Sequence, residues 1–537
     1  MRSKIPYKYA VALTAALGLF MAVLDNTIVN VALTAMRQSF HTDINTIQWV
    51  ITAYFLTQAA VIPVAGYLSL RFGTKRMFLI ALGLFSAGSF LCGISPYLTS
   101  SGGDRLLIAF RVVQGLGGGM LFPLATSIAF GAFPPEERAS SSALVALPVL
   151  LAPTLGPTIG GLIVDSPAGW PWMFFINVPV GLVAMFLFAR IYQPARGVEG
   201  RPVAAGSVRP SFDYMGLVLS TLGTVLVVYA FTLVSQSRPG TISAQQPNGD
   251  VYGLGYWGVW ALLGAGIAAL AVFTLYELRV AKDPVLDLRL FANPAFAVAN
   301  VLTWVVRAVV FGSFFLLPLF LQQFRGMSAT NAGLALIPQG LAAAVAIVTG
   351  GRFLYDRLGP RLLIIIGLLM LTLSSWMLSA ISISTTTSAW DLAPTLFIRG
   401  LGFGWSNLIL QTVALSLVTG RALPKASSLY NATAQVFSSI GVALITTVFI
   451  QQTTSHGEEL ARAATAAGVR PPADLALRAA THATTDVFLY VAIATAITVL
   501  IGLLLPARSI RGEQQASAPQ GQGAQAHGRP ATAMLAE

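Results

Sequence analysis

Stretches of about twenty apolar residues, nearly free of charge, recur from one end of the chain to the other. They run at 10–33, 47–69, 77–98, 105–128, 140–164, 172–190, 214–234, 254–276, 296–322, 331–351, 361–382, 391–417, 427–450 and 485–506. A helix of about twenty residues crosses a hydrocarbon core roughly 30 Å thick, and in lipid only helices and closed barrels satisfy every backbone N–H and C=O internally. The pattern therefore predicts about fourteen transmembrane helices, an all-α integral membrane fold. Only 10% of the 537 residues are charged and 55% are hydrophobic, whereas soluble domains carry about a quarter charged residues. A water-soluble enzyme is excluded. The first stretch is too long for the core of a cleavable signal, and Asp25, Asn26 and Asn30 interrupt the place of a cleavage site.

With an even number of spans both termini lie on one side. Alternate loops put 22 of the 32 Lys and Arg residues on that side and 7 on the other, with Arg111, Arg307 and Arg399 inside spans. Basic residues collect in cytoplasmic loops, so both termini are predicted in the cytoplasm of a multi-pass protein of the cell (inner or plasma) membrane. The same bias accounts for the net charge of +12 without a nucleic-acid partner. Cys92 is the single cysteine, so no internal disulfide or thiol metal cluster forms, and His41, His456, His482 and His527 all fall in polar segments. No phosphate-binding GxxxxGK[ST] loop is present. These absences predict a non-enzyme with no cofactor and no metal.

Local sequence repeats at equal places in two blocks of six spans. GYLSLRFGTKR (Gly66–Arg76) is echoed by GRFLYDRLGPR (Gly351–Arg361), and RVVQGLGGGMLFP (Arg111–Pro123) by RGLGFGWSNLILQ (Arg399–Gln411). Parallel repeats of this kind mark transporters. The expected organisation is a six-helix bundle over 1–190, a cytoplasmic linker at 191–213, an inserted helix pair at 214–282, and a second six-helix bundle over 283–506. An external loop with Ala-rich helical patches is expected at 452–484 and a disordered cytoplasmic tail at 507–537.

Six segments resemble the major facilitator superfamily, and within it the fourteen-span drug:proton antiporter family of EmrB/QacA type. LDNTIVNVAL (Leu24–Leu33) is similar to that family's first-span signature, Gly66–Arg76 to the superfamily's loop motif, Arg111–Gly119 to its fourth-span motif, and APTLGPTIGG (Ala152–Gly161) to the fifth-span pattern of antiporters. WPWMFFINVPVG (Trp170–Gly181) and DPVLDLRLF (Asp283–Phe291) agree at family level. Two residues depart from the pattern. Leu70 stands where the loop motif expects an aspartate, while the second loop keeps Asp356, and Pro171 stands where a basic residue is frequent.

Of the twenty acidic residues only Asp25 falls well inside a span by this reading. A carboxylate in hydrocarbon costs several kcal/mol and normally faces a partner or a cavity, which makes it a candidate for proton loading. Arg111 lies at matching depth, and the resemblance implies that it assists proton coupling; a static pair that fastens two helices is the alternative. Pro153, Gly156, Pro157, Gly160 and Gly161 mark the fifth span as a bent, closely packed antiporter helix, a seam between the halves or ordinary small-residue packing. Gly66, Arg71, Gly73, Lys75, Arg76, Asp356, Arg357 and Gly359 form two gating loops. Asp356 there is a latch partner, or the basic residues simply meet lipid headgroups. Asn26, Asn30, Tyr54, Gln58, Gln114, Arg307, Trp405, Asn407, Gln411, Asn431 and Gln435 are candidates for a substrate cavity, since neutral polar groups avoid lipid and aromatics stack on planar molecules.

The function expected is proton-coupled efflux of hydrophobic drug-like compounds by alternating access, driven by the proton motive force. The partners are the small-molecule substrate, protons, the lipid bilayer and, as in some EmrB-like proteins, a periplasmic adaptor. A dedicated exporter of an endogenous metabolite, lipid or antibiotic shares every motif, and a non-transporting membrane receptor or scaffold is the rival from another class.

Overall fold

The computed structural model describes residues 6–42, 44–98, 102–134, 137–193, 213–234, 252–253, 255–281, 284–384, 388, 390–416, 418, 422–467, 469, 472 and 474–505. The expected linker, apart from its ends, and the tail lie outside them, as do the side chains of Asn30, Pro153, Pro157, Arg352 and Asp356.

Every regular element among the described residues is helical. The first bundle comprises α1 (Tyr7–Phe40), α2 (Ile44–Phe72), α3 (Thr74–Leu98), α4 (Gly103–Ala132), α5 (Arg138–Val164), the short α6 (Trp172–Phe175) and α7 (Asn177–Ile191). The inserted pair is α8 (Tyr214–Val234) and α9 (Trp257–Arg279). The second bundle comprises α10 (Pro294–Leu319), α11 (Ala329–Ala335), α12 (Ile337–Thr349), α13 (Tyr355–Met377), α14 (Ala393–Ser416), α15 (Ala422–Ala466) and α16 (Leu475–Gly502). Among the described residues, twelve helices are long and apolar enough to cross a membrane. Two others, α5 and α14, have 27 and 24 residues and the remaining places in the sequence order. Large apolar side chains such as Leu162, Phe186, Ile267 and Leu500 stand exposed on the outer surface, as lipid contact requires.

Glycine sets the turns between spans. Gly73 (φ 91°) separates α2 from α3, and Gly359 (φ 74°) breaks the helical path ahead of Pro360 inside α13. Both occupy the left-handed region that costs other residues about 1–2 kcal/mol. Within the external loop with Ala-rich helical patches expected at 452–484, α15 continues without a break to Ala466. Its polar end is clasped to α16 by His456 and Asp486 at 2.7 Å. Alanine-rich sequence favours helix even outside the apolar stretch, so the connection is shorter than hydropathy suggests.

The two bundles repeat one packing scheme. In α4 a Cβ on Gly115 would lie 2.9 Å from the Tyr54 carbonyl of α2, one on Gly117 would lie 2.4 Å from the Phe85 nitrogen of α3, and one on Gly119 would lie 2.8 Å from the Gln58 Cα of α2. In α14, a Cβ on Gly400 would lie 2.2 Å from the Gln339 carbonyl of α12, one on Gly402 2.9 Å from the Leu371 nitrogen of α13, and one on Gly404 2.8 Å from the Ala343 carbonyl of α12. Only glycine permits backbones this close. The correspondence runs glycine to glycine, so Arg399 answers Gln114 rather than Arg111. Matching the two halves by their arginines misplaces the register by three residues.

The inserted pair lies along the outside of the junction between halves. Thr221 of α8 donates to the Ala60 carbonyl of α2 at 3.2 Å, Trp49 of α2 packs on Tyr229 of α8 at 6.0 Å, and Leu233, Val234 and Val259 cluster with Ala443 of α15.

Candidate functional site

The Asp25 carboxylate sits in the core of the first bundle, 1% exposed, with Arg111 equally buried. Arg111 Nη1 donates to Asp25 Oδ2 at 2.5 Å and to Gln114 Oε1 at 2.8 Å, and its Nε donates to the Val50 carbonyl at 3.0 Å. The other carboxylate oxygen, Oδ1, accepts from Gln114 Nε2 at 2.9 Å and from Asn177 Nδ2 at 3.0 Å. Both amides also donate to Ser89 Oγ at 3.1 Å, and that hydroxyl donates to the Phe174 carbonyl at 2.9 Å. The Tyr54 ring lies 3.8 Å from the guanidinium carbon. Removing two charges from water is costly, and the cost is offset only where the geometry is close and the remaining lone pairs and protons are satisfied. Five helices (α1, α2, α3, α4 and α7) converge to meet that condition.

Three residues expected in a substrate cavity belong instead to this polar core or its wall. Gln114 and Tyr54 are 0% exposed and Gln58 1%. Their polar groups avoid lipid, as expected, but by turning into the bundle. Asn177 and Ser89 are essential to the arrangement and escape sequence reasoning, because neutral polar residues are common in spans.

The other candidates divide between the half-buried and the buried. Asn26, Arg307, Trp405, Asn431 and Gln435 are half-buried, while Asn407 and Gln411 are each 4% exposed. Arg307 lies beside the Tyr430 hydroxyl. Trp405 Nε1 donates to Thr349 at 3.2 Å, and Asn431 Nδ2 donates to the Ser427 carbonyl at 2.8 Å. Arg399 is 2% exposed, donates to Ser375 at 3.0 Å and lies 5.6 Å from the Phe488 ring.

Helix α5, expected from sequence to be an antiporter helix, turns its glycines toward α1, within its own bundle. A Cβ on Gly156 would strike Thr27 Oγ1 at 2.0 Å and one on Gly160 the Ile28 carbonyl at 3.2 Å, while Gly161 is buried. The seam between halves is formed by other faces of α5, against α12 and α14.

On the side where α1 begins, the halves are joined by hydrogen bonds. Arg138 Nη1, at the start of α5, donates to the carbonyls of Leu415, Ser416 and Val418 at 3.1, 2.8 and 2.9 Å. These lie at the end of α14, where carbonyls lack helical partners and the dipole is negative. Thr412 and Ser142 meet at 2.7 Å, Ser427 donates to the Pro123 carbonyl at 2.8 Å, and the Gly66 N–H donates to Ser428 at 2.8 Å. Gly66 thus has a steric role in the first gating loop, since a Cβ there would lie 2.2 Å from the Pro424 carbonyl. Lys75 donates to the Ala189 carbonyl at 2.6 Å, at the end of α7. Arg71 is half-buried, and Arg76 and Arg357 are exposed. Arg138 is missed from sequence because it looks like any basic residue flanking a span. No cluster of potential metal ligands occurs among the described residues.

Residues 15–442 match the family model described as Major Facilitator Superfamily. The multidrug resistance protein B homolog of Mycobacterium tuberculosis is 34% identical over 446 residues, covering 82% of this chain and 76% of the relative. The multidrug export protein EmrB of Escherichia coli is 31% identical over 455 residues, covering 84% and 82%. Among solved structures, the proton:xylose symporter XylE superposes with a TM-score of 0.59 at 13% identity, covering 95% of this chain and 99% of that one, a likeness of fold. A duplicated six-helix scaffold, a buried acid–arginine pair in its first half and these relatives together place the chain in the Major Facilitator Superfamily, among the EmrB-type drug:proton antiporters.

Proposed function

We propose that this transporter exports hydrophobic drug-like compounds in exchange for protons, using the proton motive force and no cofactor. The observation that carries the reading is the Asp25 carboxylate, held in the membrane interior by Arg111, Gln114 and Asn177. Such a group changes the balance of a whole bundle when it gains a proton. Neutralised, Asp25 loses its attraction for Arg111, and the guanidinium, still bonded to the Val50 carbonyl and Gln114, is free to move away from it.

The hydrogen-bonded side is the cytoplasmic one in this reading, by the bias of basic residues toward it. Its closure supports a state loaded from outside. The half-buried Asn26, Arg307, Trp405, Asn431 and Gln435 are proposed to line the substrate path, and the relatives' names support drugs as the substrate class. A periplasmic adaptor would meet the opposite side, onto which α15 extends.

The test is drug efflux from proteoliposomes under an imposed pH gradient. Gradient-dependent efflux abolished in Asp25→Asn, with binding of drug retained, is the expected outcome; efflux undiminished in that variant rejects Asp25 as the coupling group.

A further inference from the structure

A second pair of acids is buried where the inserted helices meet the rest of the molecule. Asp213, just ahead of α8, is 7% exposed, and Glu277, near the end of α9, is 2% exposed. One Asp213 oxygen accepts the Gly216 N–H at 2.8 Å, and one Glu277 oxygen accepts the Val285 N–H at 2.9 Å. The remaining oxygens, Asp213 Oδ2 and Glu277 Oε2, are buried without a hydrogen-bond partner. The carboxyl groups crowd one small space over Gly216, where a Cβ would lie 2.3 Å from Asp213 Oδ2 and 2.8 Å from Glu277 Oε1.

Three other titratable groups face the pair. The Tyr276 hydroxyl of α9 lies beside Asp213, and Lys425 of α15 acts on Glu277 from across the junction. The Tyr67 hydroxyl of α2 accepts the Asp213 N–H at 3.2 Å. Lys282 and Asp283, next along the chain, lie outside the described residues. One lysine balances one carboxylate but not two, and two buried carboxyl groups this close do not both stay ionised. A proton on one of them removes the excess charge and supplies a further donor to the pair.

We propose that Asp213 and Glu277 form a second proton-binding site, holding one proton while the inserted helices are docked on α2 and α15. Its position ties it to the closed side of the molecule. Tyr67 directly follows Gly66, whose N–H is bound by Ser428, and Lys425 follows Pro424, against whose carbonyl Gly66 packs. Loss of the proton sets two negative charges against each other at this junction and loosens α8 and α9 from it. The site is independent of transport through Asp25.

The experiment is thermal unfolding of the purified full-length protein as a function of pH, combined with infrared spectroscopy of its carboxyl groups. The folded pair keeps a proton that the unfolded chain releases, so the melting midpoint falls as pH rises above the ordinary carboxylate range. A fall of several degrees is expected in the parent protein and is expected to vanish in Glu277→Gln and in Asp213→Asn. A protonated-carboxyl band at neutral pH should be lost in both variants and kept in Asp25→Asn, whose loss of gradient-driven efflux is a separate readout. The proposal is overturned if the pH dependence and the band are the same in both variants as in the parent. It is equally overturned if sodium or potassium raises the midpoint at fixed pH and the band is absent, which would make the pair a metal-cation site. Should Glu277→Gln fail to fold, the band in the parent and in Asp213→Asn decides.

Discussion

Gln114 and Arg399 hold the same place in the two halves of the molecule. Each precedes the first glycine of a matched crossing, and each donates to a serine of the neighbouring helix, Gln114 to Ser89 at 3.1 Å and Arg399 to Ser375 at 3.0 Å. The counterpart of Asp25 is equally clear. Thr27 packs on Gly156 and Ala308 packs on Gly441, which puts Val306 of α10, 1% exposed, in the acid's place. The first half therefore encloses a compensated ion pair, and the second encloses a guanidinium whose Nη2 has no hydrogen-bond partner.

Replacing Arg399 by Gln, the residue at the matching place, should raise thermal stability. Burying a cation without a carboxylate is unfavourable, and a neutral side chain of similar length does not carry that desolvation cost. Thermal unfolding in detergent reads the change. A lower melting midpoint would mean that Arg399 contributes more through Ser375 and Phe488 than its burial costs.

Asp25→Ala should be destabilising by about 3–5 kcal/mol, because it leaves Arg111 charged and buried. Asp25→Ala combined with Arg111→Leu should regain most of that loss while gradient-driven efflux stays abolished. A double-mutant cycle on the melting curves measures the coupling, and additive losses would show that the two side chains act separately.

Arg138→Leu removes the charge-assisted hydrogen bonds that Nη1 shares among three carbonyls at the end of α14, together of the order of 1.5–3 kcal/mol. The balance should move toward a state open on the side of the termini by roughly 10- to 100-fold. Cys92, the single cysteine, is 0% exposed, so the background for thiol labelling is low. A Ser142→Cys probe should react faster with a water-soluble maleimide when Arg138 is replaced; unchanged labelling would remove Arg138 from the latch.

Two glycines of one loop should respond differently to alanine. Gly66→Ala meets the Pro424 carbonyl and should prevent closure of α2 on α15, lowering efflux strongly. Gly73→Ala has open space around it but a φ of 91°, and should lower stability by about 1–2 kcal/mol with a milder effect on efflux. Efflux rates and melting midpoints for the two variants test the contrast, and equal effects would reject it.

The Asp25–Arg111 pair was legible in the sequence because charge inside an apolar stretch is conspicuous and the two residues sit at similar depth. Its remaining partners were not, since Ser89, Gln114 and Asn177 look like any neutral polar residue in a span until the helices are packed. Glu277 was hidden by its place near a helix end, where hydropathy assigns acids to water. Ala-rich helical patches were expected within 452–484, but not that α15 runs into them unbroken to Ala466, because hydropathy ends a span where the polar residues begin. The repeat itself was visible, but its register follows backbone contact at glycine, which a match of arginines cannot reveal.

The glycine crossings carry a mechanical consequence. Backbones pressed together at Gly115, Gly117 and Gly119, and again at Gly400, Gly402 and Gly404, leave little slack inside either half, so each should swing as a stiff lever. Compliance is then confined to the narrow contact between levers, where exchanging a handful of hydrogen bonds is enough to turn the molecule over.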